Sequence, residues 1–184
     1  MDALDLLEQQ HRDTLALIDG VASESRPGKR TALVIALVRA IEAHSRAEER
    51  CFYPAFRARI GDDDRLYEAF EDHALMRFVA VNLLRTRATD VRFSARLKLV
   101  QEIFLRHANA EEDWGFPKAK RYLTDENLDV IGIEVARAHD MLMRTDLTGR
   151  VKLRPRRSAA DHRSQGAHRV AKRAQLSRFG GVGA

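Results

Sequence analysis

Two short stretches of the sequence place a histidine four residues before a pair of glutamates. The first reads AHSRAEERCFYP over residues 43–54, and the second reads RHANAEEDWGFP over residues 106–117. They lie 63 positions apart, and each ends in an aromatic residue followed by proline. Because residues i and i+4 lie on one face of a helix, each stretch offers an imidazole beside a carboxylate. Side chains paired in this way can bind a metal ion.

One further histidine precedes each stretch at nearly the same distance. His11 lies 33 residues before His44, and His73 lies 34 residues before His107. The six candidate metal ligands are therefore His11, His44, Glu48, His73, His107 and Glu111. Buried imidazoles and carboxylates are costly unless they are paired or bound to metal, and two cations among these side chains would satisfy the whole set. The alternative is a duplicated hairpin whose polar core residues form only a hydrogen-bond network.

The types of ligand favour iron. Cys51 is the only cysteine, so a closed zinc site built from thiolates is not expected. A mixed set of imidazoles and carboxylates suits iron or manganese, and we predict two iron ions with an oxo or hydroxo bridge. If each glutamate bridges both ions, roughly two coordination positions stay open for water or a substrate.

Helices must position these side chains, because apolar residues recur at helical spacing through most of residues 1–148. Four apolar stripes each carry one of the four candidate histidines, and a fifth stripe runs from near Thr124 to Leu142. Pro54 and Pro117 are predicted to end the second and fourth helices. We predict an all-α fold, an up-down-up-down four-helix bundle with an additional C-terminal helix.

Charge is distributed unevenly along the chain. Residues 149–184 hold ten Lys and Arg against one acid, Asp161, whereas residues 1–148 carry a net charge of −4. We therefore predict a helical domain over residues 1–148 and a basic, flexible tail over residues 149–184. Weak anion binding is the most that the tail composition supports, and no specific nucleic-acid partner is expected.

The sequence indicates neither a membrane protein nor a secreted one. No stretch approaches the ~18 consecutive apolar residues of a membrane span. The acidic start of the chain lacks the basic region of a secretory signal, and a single cysteine excludes an internal disulfide. We predict a cytoplasmic protein, and the oligomeric state stays open.

Two groups of residues beside the candidate ligands have simpler predicted roles. Glu49 and Glu112 lie about 100° round the helix from the ligand positions. We predict that they are solvated charges, with hydrogen bonding to a ligating histidine as the alternative. Tyr53 and Trp114 are predicted to pack at the end of the bundle next to the site, with a redox role as the alternative.

The sequence resembles the hemerythrin-like, or HHE cation-binding, family over about residues 5–145. The matching pattern is His11, His44-x-x-x-Glu48, His73 and then His107-x-x-x-Glu111. The resemblance implies a four-helix bundle around a non-haem di-iron centre, with the histidines as terminal ligands and the glutamates as bridges. It also implies a small-molecule oxidant as the partner: hydrogen peroxide, oxygen or nitric oxide.

The pattern departs from that of the oxygen-carrying hemerythrins of the same superfamily. Those proteins have a second histidine four residues after the third-helix ligand, where this chain has Arg77. They also have an aspartate five residues after the fourth-helix histidine, whereas this chain has Glu111 at four. The loss of one histidine opens a coordination site, which argues against simple oxygen carriage.

The function that we predict is peroxide decomposition in a catalase-like reaction, in response to oxidative or nitrosative stress. The alternative is a module without turnover, either a sensor of oxygen, nitric oxide or iron, or an iron-handling protein of the kind that repairs iron–sulfur clusters. Whether the chain is an enzyme therefore stays open, and no catalytic residue is expected beyond the metal centre itself.

Overall fold

Helices make up most of residues 1–145, which are the residues that the computed structural model describes. They are α1 (Ala3–Ser23), α2 (Pro27–Ala47), α3 (Tyr53–Ile60), α4 (Asp64–Leu84), α5 (Phe93–Ala110), α6 (Phe116–Tyr122) and α7 (Asp125–Met143). Two π-helical turns, π1 (Glu48–Phe52) and π2 (Glu111–Gly115), join α2 to α3 and α5 to α6 without a break. The predicted all-α bundle is confirmed: α1, α2, α4 and α5 form the four helices of the bundle, and α7 packs against α1 and α2.

Local sequence signals set several of the helix ends. Asp2, Asp63 and Thr124 each precede a helix, and each side chain accepts a hydrogen bond from a backbone N–H of the first turn. Gly61 ends α3 with a φ of 77°, in the left-handed region that favours glycine. These signals place the turns between the long helices and so fix which helix faces meet.

The two prolines do not end the helices that carry the HxxxE motifs, so that prediction is wrong. Pro54 and Pro117 each lie in the first turn of the helical segment that follows a π-helical turn. The residue before each proline donates its N–H five residues back, from Tyr53 to Glu48 and from Phe116 to Glu111, so a wider π-helical turn leads into the residue that cannot donate. The chain therefore continues as helix to Ile60 and to Tyr122.

The apolar core has two layers, one on each side of the candidate histidines. One layer contains Ile41 and Phe104, and the other contains Leu7 and Phe116. Each side chain of this size contributes about 1.5–3 kcal/mol when it is fully buried. The polar side chains between the layers are thereby held in a region that excludes bulk water.

The close packing of α7 against the start of α1 depends on Gly132. A Cβ atom at this position would lie 2.9 Å from the backbone nitrogen of Ala3 and 3.0 Å from the carbonyl oxygen of Met1. We expect Gly132→Ala to lower the free energy of unfolding by about 1–3 kcal/mol, because backbone atoms would have to move. Urea unfolding followed by circular dichroism measures this change.

Gly28 supplies the matched control, since a Cβ there meets nothing within 4 Å. Gly28→Ala is expected to leave stability unchanged or to raise it by up to about 1 kcal/mol, because alanine loses less backbone freedom on folding. Equal destabilisation by the two substitutions would contradict the close approach of α7 to α1.

None of the described helices is both long and apolar enough to cross a membrane. The predicted boundary at residue 148 and the predicted basic tail lie outside the described residues, so both stay predictions.

Candidate metal centre

All six predicted side chains meet in the middle of the bundle, and each is at most 5% exposed. They form two overlapping clusters within which the candidate ligand atoms lie no more than 4.8 Å apart. The first cluster contains His11, His44, His107 and Glu111, and the second contains His44, Glu48, His73 and His107. Because His44 and His107 belong to both clusters, the six side chains form one continuous group of ligand atoms that could hold a metal.

The two clusters are related by the duplication in the sequence. The first hairpin is α1 and α2 with π1, and the second is α4 and α5 with π2. The corresponding ligands are His11 and His73, His44 and His107, and Glu48 and Glu111. Exchanging the two members of every pair converts the first cluster into the second. Each cluster therefore takes two side chains from each hairpin, and neither hairpin contains a complete cluster.

The distances between imidazoles and carboxylates follow the same symmetry. Within the HxxxE motifs, Nε2 of His44 lies 3.1 Å from Glu48 Oε2, and Nε2 of His107 lies 3.3 Å from Glu111 Oε2. Between hairpins, Nε2 of His11 lies 3.2 Å from Glu111 Oε2. Nε2 of His73 likewise lies 3.1 Å from Glu48 Oε2. All four imidazoles thus turn the same ring nitrogen toward the shared centre.

The second glutamate of each pair orients a histidine of the other hairpin. Nδ1 of His11 lies 2.8 Å from Glu112 Oε1, and Nδ1 of His73 lies 3.2 Å from Glu49 Oε1. A ring that donates its Nδ1–H to a carboxylate keeps Nε2 free to bind a metal. The prediction that Glu49 and Glu112 are merely solvated is wrong, because their offset round the helix turns them toward the neighbouring hairpin.

Arg77 occupies the place of the additional histidine of oxygen-carrying hemerythrins, and it binds Glu49. Its guanidinium donates to Glu49 Oε1 at 2.6 Å. Burial acts to raise the pKa of Glu49, but hydrogen bonds from His73 and Arg77 outweigh burial and lower that pKa to about 2. Among the described residues, Glu112 has no such cation and forms an ion pair only with His11. The surroundings of His11 and His73 therefore differ in charge.

Tyr53 makes the centre unsymmetrical in a second way. Its hydroxyl donates to Glu111 Oε1 at 2.7 Å and lies 3.2 Å from Nε2 of His73. The corresponding residue of the second hairpin is Phe116, whose ring stacks on His11 as that of Tyr53 stacks on His73. Only one hairpin thus brings a hydroxyl to the centre. The prediction that Tyr53 only packs missed this contact, although the change from FYP to GFP between the repeats was a visible signal.

The histidines that the two clusters share favour their neutral form. Burial, with the neighbouring imidazoles, holds the pKa of His44 well below its usual value. Burial also lowers the pKa of His107 to about 3, although Glu111 opposes that shift. Neutral imidazole is the form that binds metal, so these two rings are in the state that a ligand needs.

The two inner glutamates differ in charge. Burial and the nearby carboxylate of Glu111 raise the pKa of Glu48 well above its usual value. Burial acts in the same direction on Glu111, but His107 and His11 outweigh it and lower the pKa of Glu111. Without a cation, therefore, the centre favours one ionised carboxylate rather than two.

Four polar atoms of the centre lack a hydrogen-bond partner among the described residues. They are both carboxylate oxygens of Glu48, Oε2 of Glu111 and Nε2 of His11. A buried polar atom without a partner costs about 1–3 kcal/mol, and more when it is charged. Imidazole–carboxylate contacts of 3.1–3.2 Å reach three of these atoms without the geometry of a hydrogen bond, whereas metal cations would supply a partner for all four. The residues present therefore fit a metal centre.

Tyr53→Phe tests the contribution of the hydroxyl to the centre. We expect the free energy of unfolding of the metal-free protein to fall by about 1–3 kcal/mol, because a buried oxygen of Glu111 loses its donor. Tyr122→Phe is the control, since Tyr122 is 47% exposed and should change stability by less than about 0.5 kcal/mol. Urea unfolding of both variants makes the comparison, and equal effects would mean that the hydroxyl contributes nothing specific.

Comparison with known proteins places this geometry in a family. The sequence model of the hemerythrin HHE cation-binding domain matches residues 2–119, a span that includes all six side chains. The fold is similar to that in the crystal structure of a hemerythrin HHE cation-binding domain-containing protein from Mycobacterium kansasii. That match has a TM-score of 0.72 at 22% identity and covers 84% of this chain and 95% of that chain. No curated protein matches the sequence. The chain belongs to the hemerythrin HHE cation-binding domain family.

Proposed function

We propose that the six side chains hold two iron ions and that this centre decomposes hydrogen peroxide in a catalase-like reaction. The observation that supports the metal centre best is the set of four partnerless buried atoms, all of which belong to the two symmetry-related clusters. A mixture of four imidazoles and two carboxylates favours iron, with manganese as the less favoured metal. Oxygen and nitric oxide are the competing oxidants, and a cytoplasmic role in stress response is part of the proposal.

Each group of this chain has a defined part in the proposal. When bound, iron supplies the two-electron redox chemistry that converts two molecules of hydrogen peroxide into two of water and one of oxygen. Glu49 and Glu112 hold the rings of His73 and His11 so that Nε2 faces the ions. The two apolar layers limit the access of bulk water to the centre.

Tyr53 keeps a proton beside the centre. Burial, with the charges of Glu111 and Glu48, raises the pKa of its phenol well above the usual value. The phenol therefore stays protonated and holds Glu111 through the hydrogen bond that it donates. Arg77 is engaged with Glu49 and adds no imidazole, so the chain offers four histidine ligands rather than five.

The first experiment measures the metal content of protein purified from iron-supplemented cells by elemental mass spectrometry. We expect about two irons per chain, as two clusters require, and oxygen release on addition of peroxide at about half the peroxide consumed. No stoichiometric metal, even after anaerobic loading with ferrous iron or manganese, would contradict the proposal. A spectral change that stops after one equivalent of peroxide would favour the sensor over the enzyme.

A further inference from the structure

A cavity of about 220 Å³ leads from the protein surface to the candidate metal centre. His107, Glu111 and Tyr53 form its inner end, so it reaches the ligands and the hydroxyl described above. Hydrogen peroxide is little larger than water, which occupies about 30 Å³ in the liquid. An engineered apolar cavity of about 150 Å³ in another protein holds benzene. The cavity is therefore large enough for an organic molecule with an aromatic ring and a short polar substituent.

The wall between the surface and the centre is mostly apolar. Phe52, Phe56, Leu66, Ala69 and Trp114 contribute to it. Trp114 is held in place because Arg65 and Lys118 lie over its ring, at 5.3 Å and 4.8 Å from the ring centre. A wall of this kind gains free energy by covering apolar ligand surface.

Carboxylates outnumber the unpaired cations at the rim of the cavity. Among the described residues near it, Arg106 pairs with Asp72 and Lys118 pairs with Asp63, which leaves Arg65, whose guanidinium lies over Trp114. The exposed carboxylates of Glu68 and Asp113 complete the rim. Like charges repel, so a ligand that carries a carboxylate is disfavoured there.

We propose that this cavity binds neutral, apolar organic hydroperoxides and directs their O–O group toward Glu111 and Tyr53. The proposal rests on the proposed function, because that function supplies the redox chemistry. The net reaction is ROOH + H2O2 → ROH + H2O + O2. The O–O bond of the organic hydroperoxide breaks and takes up two electrons and two protons, which gives the alcohol and water. Hydrogen peroxide supplies these electrons and protons and leaves as oxygen.

Trp114 is the only tryptophan of the chain, so its fluorescence reports directly on the cavity. The probe is 2-phenyl-2-propanol, the alcohol that forms from cumene hydroperoxide. This alcohol is neutral, and it cannot be reduced at the centre because it has no O–O bond. We expect a saturable fluorescence change in both metal-free and iron-loaded protein. 4-Isopropylbenzoate, an anion of similar size, is expected to bind at least about tenfold more weakly.

Ala69→Phe tests whether the probe lies in this cavity. Ala69 lines the cavity from α4, whereas Ala74 lies exposed on the same helix outside the cavity. We expect Ala69→Phe to weaken binding of the alcohol at least about tenfold, and Ala74→Phe to leave it unchanged. Ala69→Leu replaces the phenylalanine variant if circular dichroism shows that the latter does not fold. Chromatography then measures the alcohol that each iron-loaded protein forms from cumene hydroperoxide and hydrogen peroxide. Ala69→Phe should lower the amount of alcohol formed, and Ala74→Phe should leave it unchanged.

The outcomes separate this proposal from the proposed function. Iron uptake and hydrogen peroxide decomposition without saturable binding of the alcohol would overturn the cavity assignment and leave the proposed function intact. Equal affinity of the Ala69→Phe and Ala74→Phe variants would also overturn it. Binding of the alcohol by a chain that takes up no iron would overturn the proposed function, and the assignment of hydroperoxides as substrates would fall with it.

Discussion

Replacing His107 with alanine is expected to remove iron from the protein and to abolish peroxide decomposition. His107 belongs to both clusters, and its Nε2 lies 3.3 Å from Glu111 Oε2 and 3.8 Å from Glu48 Oε2. An imidazole nitrogen binds one metal ion, so the substitution takes a terminal ligand from one proposed ion and leaves the two-metal centre incomplete. Losing a residue that only orients a metal ligand costs about 10–100-fold in affinity or activity. Because His107 is a proposed ligand itself, we expect the rate of oxygen release to fall by more than about 100-fold. Elemental mass spectrometry and oxygen release measure the two effects.

His139→Ala is the matched control for this experiment. His139 lies on α7, is partly buried and belongs to neither cluster. Its loss should leave about two irons per chain, because it is not among the proposed ligands. Circular dichroism of both variants tests whether the bundle still folds. Full iron content in a folded His107→Ala variant would contradict the proposed site.

Replacing Glu48 with glutamine is expected to stabilise the metal-free protein and to destroy its response to iron. Glu48 is fully buried, and neither of its carboxylate oxygens has a hydrogen-bond partner among the described residues. Without a cation, burial and Glu111 keep Glu48 protonated, and taking up that proton at pH 7 costs folding free energy that a neutral amide of the same shape avoids. We expect the free energy of unfolding of the metal-free protein at pH 7 to rise by about 1–3 kcal/mol.

Iron should stabilise the wild-type protein much more than the glutamine variant. A ligand at 1,000 times its dissociation constant stabilises the native state by about 4 kcal/mol, so loaded wild-type protein should gain stability of that order. The glutamine variant should gain little, because it lacks a carboxylate that both proposed ions share. Urea unfolding with and without ferrous iron under anaerobic conditions measures both changes. Glu102→Gln is the control, since Glu102 is exposed on α5.

The pH dependence of the metal-free proteins provides a second check. The folded-state pKa of Glu48 is raised by burial and by Glu111, so the folded wild-type protein binds a proton more readily than the unfolded chain does. Stability attributable to Glu48 is therefore lost as pH rises above its ordinary pKa of 4.5. The advantage of Glu48→Gln should be present at pH 7 and should disappear below about pH 4.5. An advantage that persists in acid would point to a different cause.

The fold and the six clustered side chains could be predicted because their signals are local. Apolar spacing of 3.6 residues marks a helix, and the i, i+4 spacing of His and Glu places both on one helix face. The continuation of the helices past Pro54 and Pro117 was missed, because nothing in the local pattern distinguishes a π-helical turn from a helix end. The lengths and apolar spacing of the helices thus predict the bundle, but they do not predict how the chain continues after the two HxxxE motifs.

The contacts that tune the centre could not be predicted in the same way, because they join distant parts of the chain. Glu112 bonds to a histidine that lies 101 residues away, and Glu49 to one that lies 24 residues away. No spacing rule relates positions on different helices before their packing is known. Tyr53 is an intermediate case, since the repeats differ visibly at that position but its partner Glu111 lies in the other hairpin.

The division of each cluster between two hairpins bears on how such a chain arises. Two copies of one helical hairpin, paired about a twofold axis, would assemble both clusters, because each cluster takes two side chains from each copy. Duplication and fusion of a gene for one hairpin would give the organisation seen here. A dimer of identical hairpins must carry the same residues on both sides. Fusion frees the two sides to diverge, and Tyr53 with Phe116 and Arg77 with Leu15 are two of the pairs in which the halves of this chain differ.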